Sequence, residues 1–206
     1  VMRYMGSKLH LLDFIIPKIE SITSEGDKIL DLMAGTHSIG YALKQRHPII
    51  ANDIQEYSRI IGLALIANNQ VNLTSKDIKE DILDKLRENY SHHLFQKYYP
   101  DTYFSEKQCK EIDEIRYAID LVKNIYKKAL YLTSLIYAMG YCQSSPGHFA
   151  EYMPKDHPRL EPLRKLSILK AFLKKCKEIK IIFSKYKNLV LVQNYRELLK
   201  SASKKT

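Results

Sequence analysis

The residues of this chain most suited to chemistry lie in two short stretches, Ile29-Leu30-Asp31-Leu32-Met33-Ala34-Gly35-Thr36-His37-Ser38-Ile39-Gly40 and Ile49-Ile50-Ala51-Asn52-Asp53-Ile54. The first reads as an apolar strand, a turn of small residues and the start of a helix. The second reads as another apolar strand that ends on an acid. Small residues let the backbone approach a ligand closely. Asp53, 22 residues after Asp31, is placed to accept hydrogen bonds from both hydroxyls of a ribose. The turn has neither the Gly-x-Gly-x-x-Gly of dinucleotide sites nor the Gly-Lys-Ser/Thr of phosphate loops. The pattern therefore predicts a nucleoside without phosphates as the guest, and S-adenosylmethionine is the commonest such cofactor.

Positioning these groups requires a parallel sheet, and the flanking sequence supplies its elements. Leu12, Ile15, Ile16, Ile19 and Ile22 form a helical stripe that ends at Ser24-Glu25-Gly26-Asp27. The short apolar run 29–33 suits a buried strand, 38–46 a helix, and 48–51 the second strand. Further helices are predicted over 56–69 and 75–90. From 98 to 141 the strand–turn–helix rhythm disappears, while Ile112, Ile115, Ile119, Val122, Tyr126 and Ala129 keep a spacing near 3.6. Residues 143–158 read as irregular, 160–179 as one basic helix, 189–192 as a returning strand, and the residues after Tyr195 as a short helix. The expectation is an α/β fold, an incomplete Rossmann-like sheet with a helical insert. Residues 1–92 would form the cofactor part, 93–180 the insert and target-recognition region, and 181–206 the returning strand and helix.

Composition narrows the class. With 206 residues, 45% hydrophobic and 10% aromatic, the chain can bury a real core as one domain with an insertion. No apolar run approaches the ~18 residues of a membrane span, and the first residues show no signal-peptide hydrophobic region. Cys109, Cys142 and Cys176 have no metal or disulfide spacing, which predicts a reducing cytoplasm. His92-His93 and His148…His157 lack partners at ligand spacing, so no metal is expected. The charge is segregated: residues 155–206 hold 15 Lys/Arg against 4 Asp/Glu, while the preceding 154 residues are close to neutral. A basic third on a neutral body predicts an anionic partner, most simply nucleic acid, with a solvated lysine-rich helix face as the alternative.

Several blocks together resemble one family. Arg3-Tyr4-Met5-Gly6-Ser7-Lys8, the 31–40 loop and Asn52-Asp53-Ile54 resemble the Dam-like adenine-N6 DNA methyltransferases. Tyr103-Phe104-Ser105 with Ile112-Asp113-Glu114-Ile115-Arg116 resembles the family's helical insert. Ser144-Ser145-Pro146-Gly147-His148-Phe149-Ala150 resembles its DNA-facing loop. The resemblance implies that Tyr4 packs on the methionine part of S-adenosylmethionine and that Lys8 binds its carboxylate, a charge-assisted bond. It assigns Asp31, Met33 and Gly35 to the cofactor loop, Asp53 to the ribose and Ile54 to one face of the adenine. Val192-Gln193-Asn194-Tyr195 resembles the strand end that lines the other face. His148, Lys155, Arg159, Arg164 and Lys165 are the implied contacts to duplex DNA, and lysines from Lys170 to Lys187 would track its backbone.

Two departures stand out. Where the family usually has a second glycine this chain has His37, whose side chain would crowd the turn or sit beside the methionine. The family's Asp-Pro-Pro-Tyr tetrapeptide is missing, since none of the seven prolines are adjacent. That motif accepts hydrogen bonds from the adenine amino group and stacks on the flipped base. The reading is therefore a cofactor-binding and DNA-recognition portion of a restriction–modification methyltransferase that is inactive alone. A second chain would supply the Pro-Pro-Tyr strand. The alternatives are a remnant that binds DNA or cofactor without catalysis, and an enzyme acting on RNA. A half-sheet leaves an unpaired edge, so association with the missing chain or with another copy is expected.

Overall fold

The computed structural model describes residues 8–86, 91–145 and 151–202. Tyr4, His148 and most of the small-residue loop at 144–150 thus lie outside the described residues. The chain divides into two compact units, one formed by residues 8–71 with 180–202 and the other by 72–179.

The first unit is built on a parallel sheet, as its short apolar runs predict. Strands β1 (Ile29–Asp31), β2 (Ile49–Asn52) and β3 (Leu189–Leu191) lie in the order β1-β2-β3. Ile29 aligns with Ile49 and Asp31 with Ala51, while Ile50 aligns with Leu189 and Asn52 with Leu191. This is an incomplete Rossmann-like sheet. Among the described residues β1 has a strand partner on one side only. β2 is central and its Ile49 and Ala51 are fully buried. They join Ala34, Leu43 and Ile66 in a small core, flanked by Ile16, Ile19, Ile29, Ile39 and Val190. Ile16 and Ile19 come from α1 (Leu12–Glu20), which follows a 3₁₀ turn at Lys8–Leu11.

Two helices follow the strands. The predicted 38–46 helix is α2 (Ser38–Leu43), and the predicted 56–69 helix is α3 (Glu56–Gly62), which continues as a π-helical turn, Leu63–Ala67. At the end of α2 the wholly buried Lys44 donates from Nζ to the carbonyl oxygens of Leu65 (2.9 Å) and Asn68 (3.2 Å). Its ammonium thus caps carbonyls that the widened helix end would otherwise leave unpaired. Burial lowers its pKa to about 8.

The second unit is all helical. α4 (Ser75–Asp81), α5 (Leu94–Tyr98), α6 (Glu106–Leu121), α7 (Ile125–Cys142), α8 (Leu160–Arg164) and α9 (Ile168–Glu178) enclose a larger core containing Ile82, Ile112, Ile115, Ile119, Tyr131 and Phe172. α6 starts at a Ser105/Gln108 capping box, and α7 at Asn124, whose side chain accepts from the Tyr126 and Lys127 amides. Two points differ from the sequence reading. Residues 72–86 pack in this helical unit through Ile78 and Ile82, not with the cofactor part. The single basic helix expected over 160–179 is two helices. Ser167 caps α9 through its Oγ, and the Glu111 carboxylate accepts from the Ser167 hydroxyl and the Leu169 amide. These bonds hold the break open. All three cysteines are buried and reduced, and burial pushes their thiols up to about 12.

Candidate nucleoside-cofactor site

The site lies at the carboxyl edge of the sheet, where parallel α/β folds bind ligands. After β1 the chain turns through Gly35 at φ +54° and His37 at φ +61° before α2 begins. Gly35 tolerates this left-handed conformation freely, whereas histidine there carries a strain of about 1 kcal/mol. The Gly35 amide donates to Asp53 Oδ2 at 2.9 Å, and the Gln55 amide to Oδ1 at 3.0 Å. One carboxylate thus ties the turn after β1 to the entry of α3. Each oxygen keeps a further lone pair for a ligand hydroxyl.

Lys8 reaches the same turn, its Nζ donating to the Met33 carbonyl oxygen at 3.0 Å. Asp31 lies close by. Burial raises its pKa, with Lys8 and the Met33 amide pulling the other way and Asp53 adding to the rise. Met33 and Ile54 are left 58% and 63% exposed. An apolar shelf beside an acid and an amine suits a nucleoside that carries an amino-acid tail.

A residue missed in the sequence organises this edge. Asn52 is buried at the end of β2. It donates from Nδ2 to the carbonyls of Leu32 (3.1 Å) and Gln193 (3.0 Å), and its Oδ1 accepts from the Gln193 amide (3.0 Å). Asn52 therefore stitches the ends of all three strands and sets the 192–195 segment beside Asp53. The only hint in the sequence was an amide where a central strand ends. Within that segment Asn194 uses its side chain on the Arg196 amide at the start of α10 (Tyr195–Ala202), and the partly exposed Tyr195 ring meets the Arg196 guanidinium.

His37 neither crowds the turn nor stands in the open pocket. Its ring is buried (1% exposed), with Nε2 2.7 Å from the Ser58 carbonyl oxygen and 3.1 Å from its hydroxyl. Burial lowers its pKa to about 4, against smaller opposing effects of the Ser58 bond and the Asp53 charge.

Of the described residues expected at DNA, Lys155, Arg159, Arg164, Lys165 and the lysines from Lys170 to Lys177 belong to the helical unit, whereas Lys180, Lys185 and Lys187 belong to the sheet unit, where Lys185 pairs with Glu25 at 2.8 Å. Lys155, Arg159 and Lys165 are exposed. Arg164 is committed elsewhere: its guanidinium is 18% exposed, pairs with Asp101 Oδ1 at 3.2 Å and donates to the Asp101 carbonyl at 2.8 Å. It locks a turn in which Asp101 has φ +56°. Among the described residues no group of His, Cys, Asp and Glu could hold a metal, and no helix is long and apolar enough to cross a membrane.

A parallel sheet with a small-residue turn after β1 and an acid at the end of β2 fits an incomplete Rossmann-like methyltransferase fold. The profile of the D12 class N6 adenine-specific DNA methyltransferases matches residues 4–199, and the chain belongs to that family. It is 31% identical to the type II methyltransferase M2.HphI of Haemophilus parahaemolyticus over 137 residues, covering 66% of this chain and 39% of the relative. Identity to the type II methyltransferase M.NlaIII of Neisseria lactamica is 34% over 60% of this chain and 39% of that one. The modification methylase LlaI of Lactococcus lactis subsp. lactis is 26% identical over 84% of this chain and 30% of its own. The chain thus spans two-fifths or less of the length of these relatives. No solved structure matches. The methyl donor of the family is S-adenosylmethionine and its substrate is DNA.

Proposed function

We propose that this chain is the cofactor-binding and DNA-recognition part of a site-specific adenine-N6 DNA methyltransferase of a restriction–modification system. The observation that carries this reading is Asp53, held by the Gly35 and Gln55 amides at the center of the sheet edge with acceptor capacity to spare. Asp53 receives the ribose hydroxyls, Ile54 covers one face of the adenine with the Asn194–Tyr195 segment on the other, Met33 lines the cofactor loop, and Lys8 pairs with the carboxylate of the methionine part. Gly35 lets the backbone come close, and Asp31 supports Lys8 electrostatically. Tyr4 completes the set by resemblance. S-adenosylmethionine supplies the electrophilic methyl group when bound.

The groups that seat the target adenine come from a Pro-Pro-Tyr strand on a second polypeptide. The reading is supported by the lack of adjacent prolines in these 206 residues and, among the described residues, by the strand partner on only one side of β1. The site of action is the cytoplasm. The expected result is no methyl transfer to duplex DNA by this chain alone, and transfer when a polypeptide bearing the Asp-Pro-Pro-Tyr motif is added. The readout is incorporation of labelled methyl groups into DNA. Robust transfer by the chain alone would sink the two-chain reading. A silent mixture would favor a noncatalytic binding remnant.

DNA binding is assigned to the exposed cations of the helical unit, Lys155, Arg159 and Lys165, with His148 added by resemblance. Arg164 acts through the Asp101 turn. Replacing Lys155 and Arg159 together by glutamate should weaken duplex binding and reduce the slope of log affinity against log salt by about 2, since each phosphate contact contributes close to 0.9. Fluorescence anisotropy over a salt series measures this. An unchanged slope would remove both residues from the interface, and stronger competition by structured RNA than by duplex DNA would favor an RNA substrate.

A further inference from the structure

We infer that His37 is a positioning residue for the cofactor turn, a clasp that reaches from the turn to α3 and holds the Gly35 amide and the Asp53 carboxylate in register for the nucleoside. This rests on the reading of the edge as an S-adenosylmethionine site and goes beyond it.

Three observations converge. First, the backbone at position 37 is left-handed (φ +61°), a conformation that glycine adopts freely and that is uncommon for a residue with a side chain. Second, the ring is anchored at its far end: the Ser58 carbonyl lies 2.7 Å from Nε2, so Nε2 carries the proton and donates. Ser58 lies on α3, the helix whose entry Asp53 helps to hold through Gln55. Third, α3 leaves room for the ring. A Cβ added at Gly62 would stand 2.7 Å from His37 Cε1, 2.8 Å from Nε2 and 2.9 Å from Val190 Cγ1. The turn and the helix are thus joined twice, by Asp53 at the surface and by His37 beneath it.

The clasp works only with a neutral ring. Nδ1 is buried and has no hydrogen-bond partner, so a second proton would be enclosed unpaired. The charged groups that act on the ring are Asp53, after β2, which favors protonation, and Lys8, before α1, which opposes it. In the unfolded chain the ring takes its proton near pH 6.5, and in the folded chain only near 4. The stability that the neutral ring supplies is therefore fully present above about pH 6.5 and lost as the pH falls toward 4.

The test uses the whole chain with S-adenosylhomocysteine as probe, read by titration calorimetry at neutral pH. Hydrogen exchange of residues 33–40 is followed without ligand. His37→Gly should weaken binding roughly tenfold and speed exchange across the turn while the chain stays folded. Gly62→Ala, which displaces the ring from behind, should reproduce both effects, and its effect on affinity should shrink on the His37→Gly background, where only the crowding of Val190 remains. The melting-temperature advantage of the parent over His37→Gly should shrink as the pH falls from 6.5 to 4. If Gly62→Ala does not fold, His37→Gly and the pH series carry the test. Folded His37→Gly with parental affinity and parental exchange would overturn the clasp. A folded parent chain that does not bind the probe would overturn the cofactor reading instead, and the exchange data would still report whether the ring holds the turn.

Discussion

Replacing Asp53 by alanine should lower the affinity for S-adenosylhomocysteine by at least about 100-fold, the largest binding effect expected of any single substitution in the chain. The carboxylate has three duties that no neighbor can take over. Its Oδ2 anchors the Gly35 amide, its Oδ1 anchors the Gln55 amide, and on the proposed reading its remaining lone pairs accept from two ribose hydroxyls. Hydrogen bonds to a charged acceptor are worth about 1.5–3 kcal/mol each, so losing two to the ligand alone accounts for about 3 kcal/mol or more. Release of the turn adds to that. Asp53→Asn keeps the size and one acceptor oxygen but loses the charge and sets a donor against an amide, so it should fall between alanine and the parent. Titration calorimetry on variants checked for folding decides the matter. An alanine variant within about threefold of the parent, less than one kcal/mol, would remove Asp53 from the ribose site.

Replacing Phe172 by alanine should produce the largest loss of stability, about 3–5 kcal/mol, because a fully buried aromatic ring is deleted from a packed core. Phe172 projects from α9 into the cluster formed by α4, α6 and α7, and its ring centroid lies 6.3 Å from that of Tyr131. The Tyr131 hydroxyl is itself held by Asp81 at 3.1 Å, so the neighboring ring cannot simply move into the space. The cost should therefore sit near the upper part of that range. Urea unfolding followed by circular dichroism measures it. The residues proposed to bind the nucleoside belong to the other unit, so S-adenosylhomocysteine affinity should stay at the parental value under conditions where the variant is folded. A loss below about 1 kcal/mol would mean that the helical core repacks around the deletion.

Much of the cofactor unit could be read from the sequence because its signals are local. Runs 29–31 and 49–52 are short and apolar, the turn between strand and helix is made of small residues, and Asp53 stands where a strand ends. Each of these follows from neighbors along the chain. What escaped depends on partners far away. Nothing near Asn52 says that its amide will join Leu32 to Gln193, and nothing near Gly62 says that an imidazole will occupy the space its missing Cβ leaves. The same holds for Arg164, which reads as a surface cation until Asp101 is seen to take it. The helix expected over 160–179 kept its apolar spacing, but periodicity does not register a serine that caps instead of continuing. Ile78 and Ile82 have the stripe of a packed helix, yet a stripe does not say which of two cores it faces. Adjacent prolines are a strictly local pattern, and these 206 residues contain none.

The central strand has a consequence for how this protein is made. β2 pairs with β1 across a short crossover, but its other neighbor arrives late: the Ile49 amide bonds to the side chain of Asn188, 139 residues further on. As the chain leaves the ribosome, Asp53 and the turn that it holds precede β3, so one flank of β2 stays bare until β3 is synthesized. Closing so long a loop from a disordered chain would be slow. The intervening residues are a compact helical body with its own core, so they can collapse first and shorten the effective distance. Among the described residues, the order of synthesis thus runs from β1 and β2, to the helical insert, to β3. On the proposed reading, the cofactor edge takes its full form only when β3 joins the sheet.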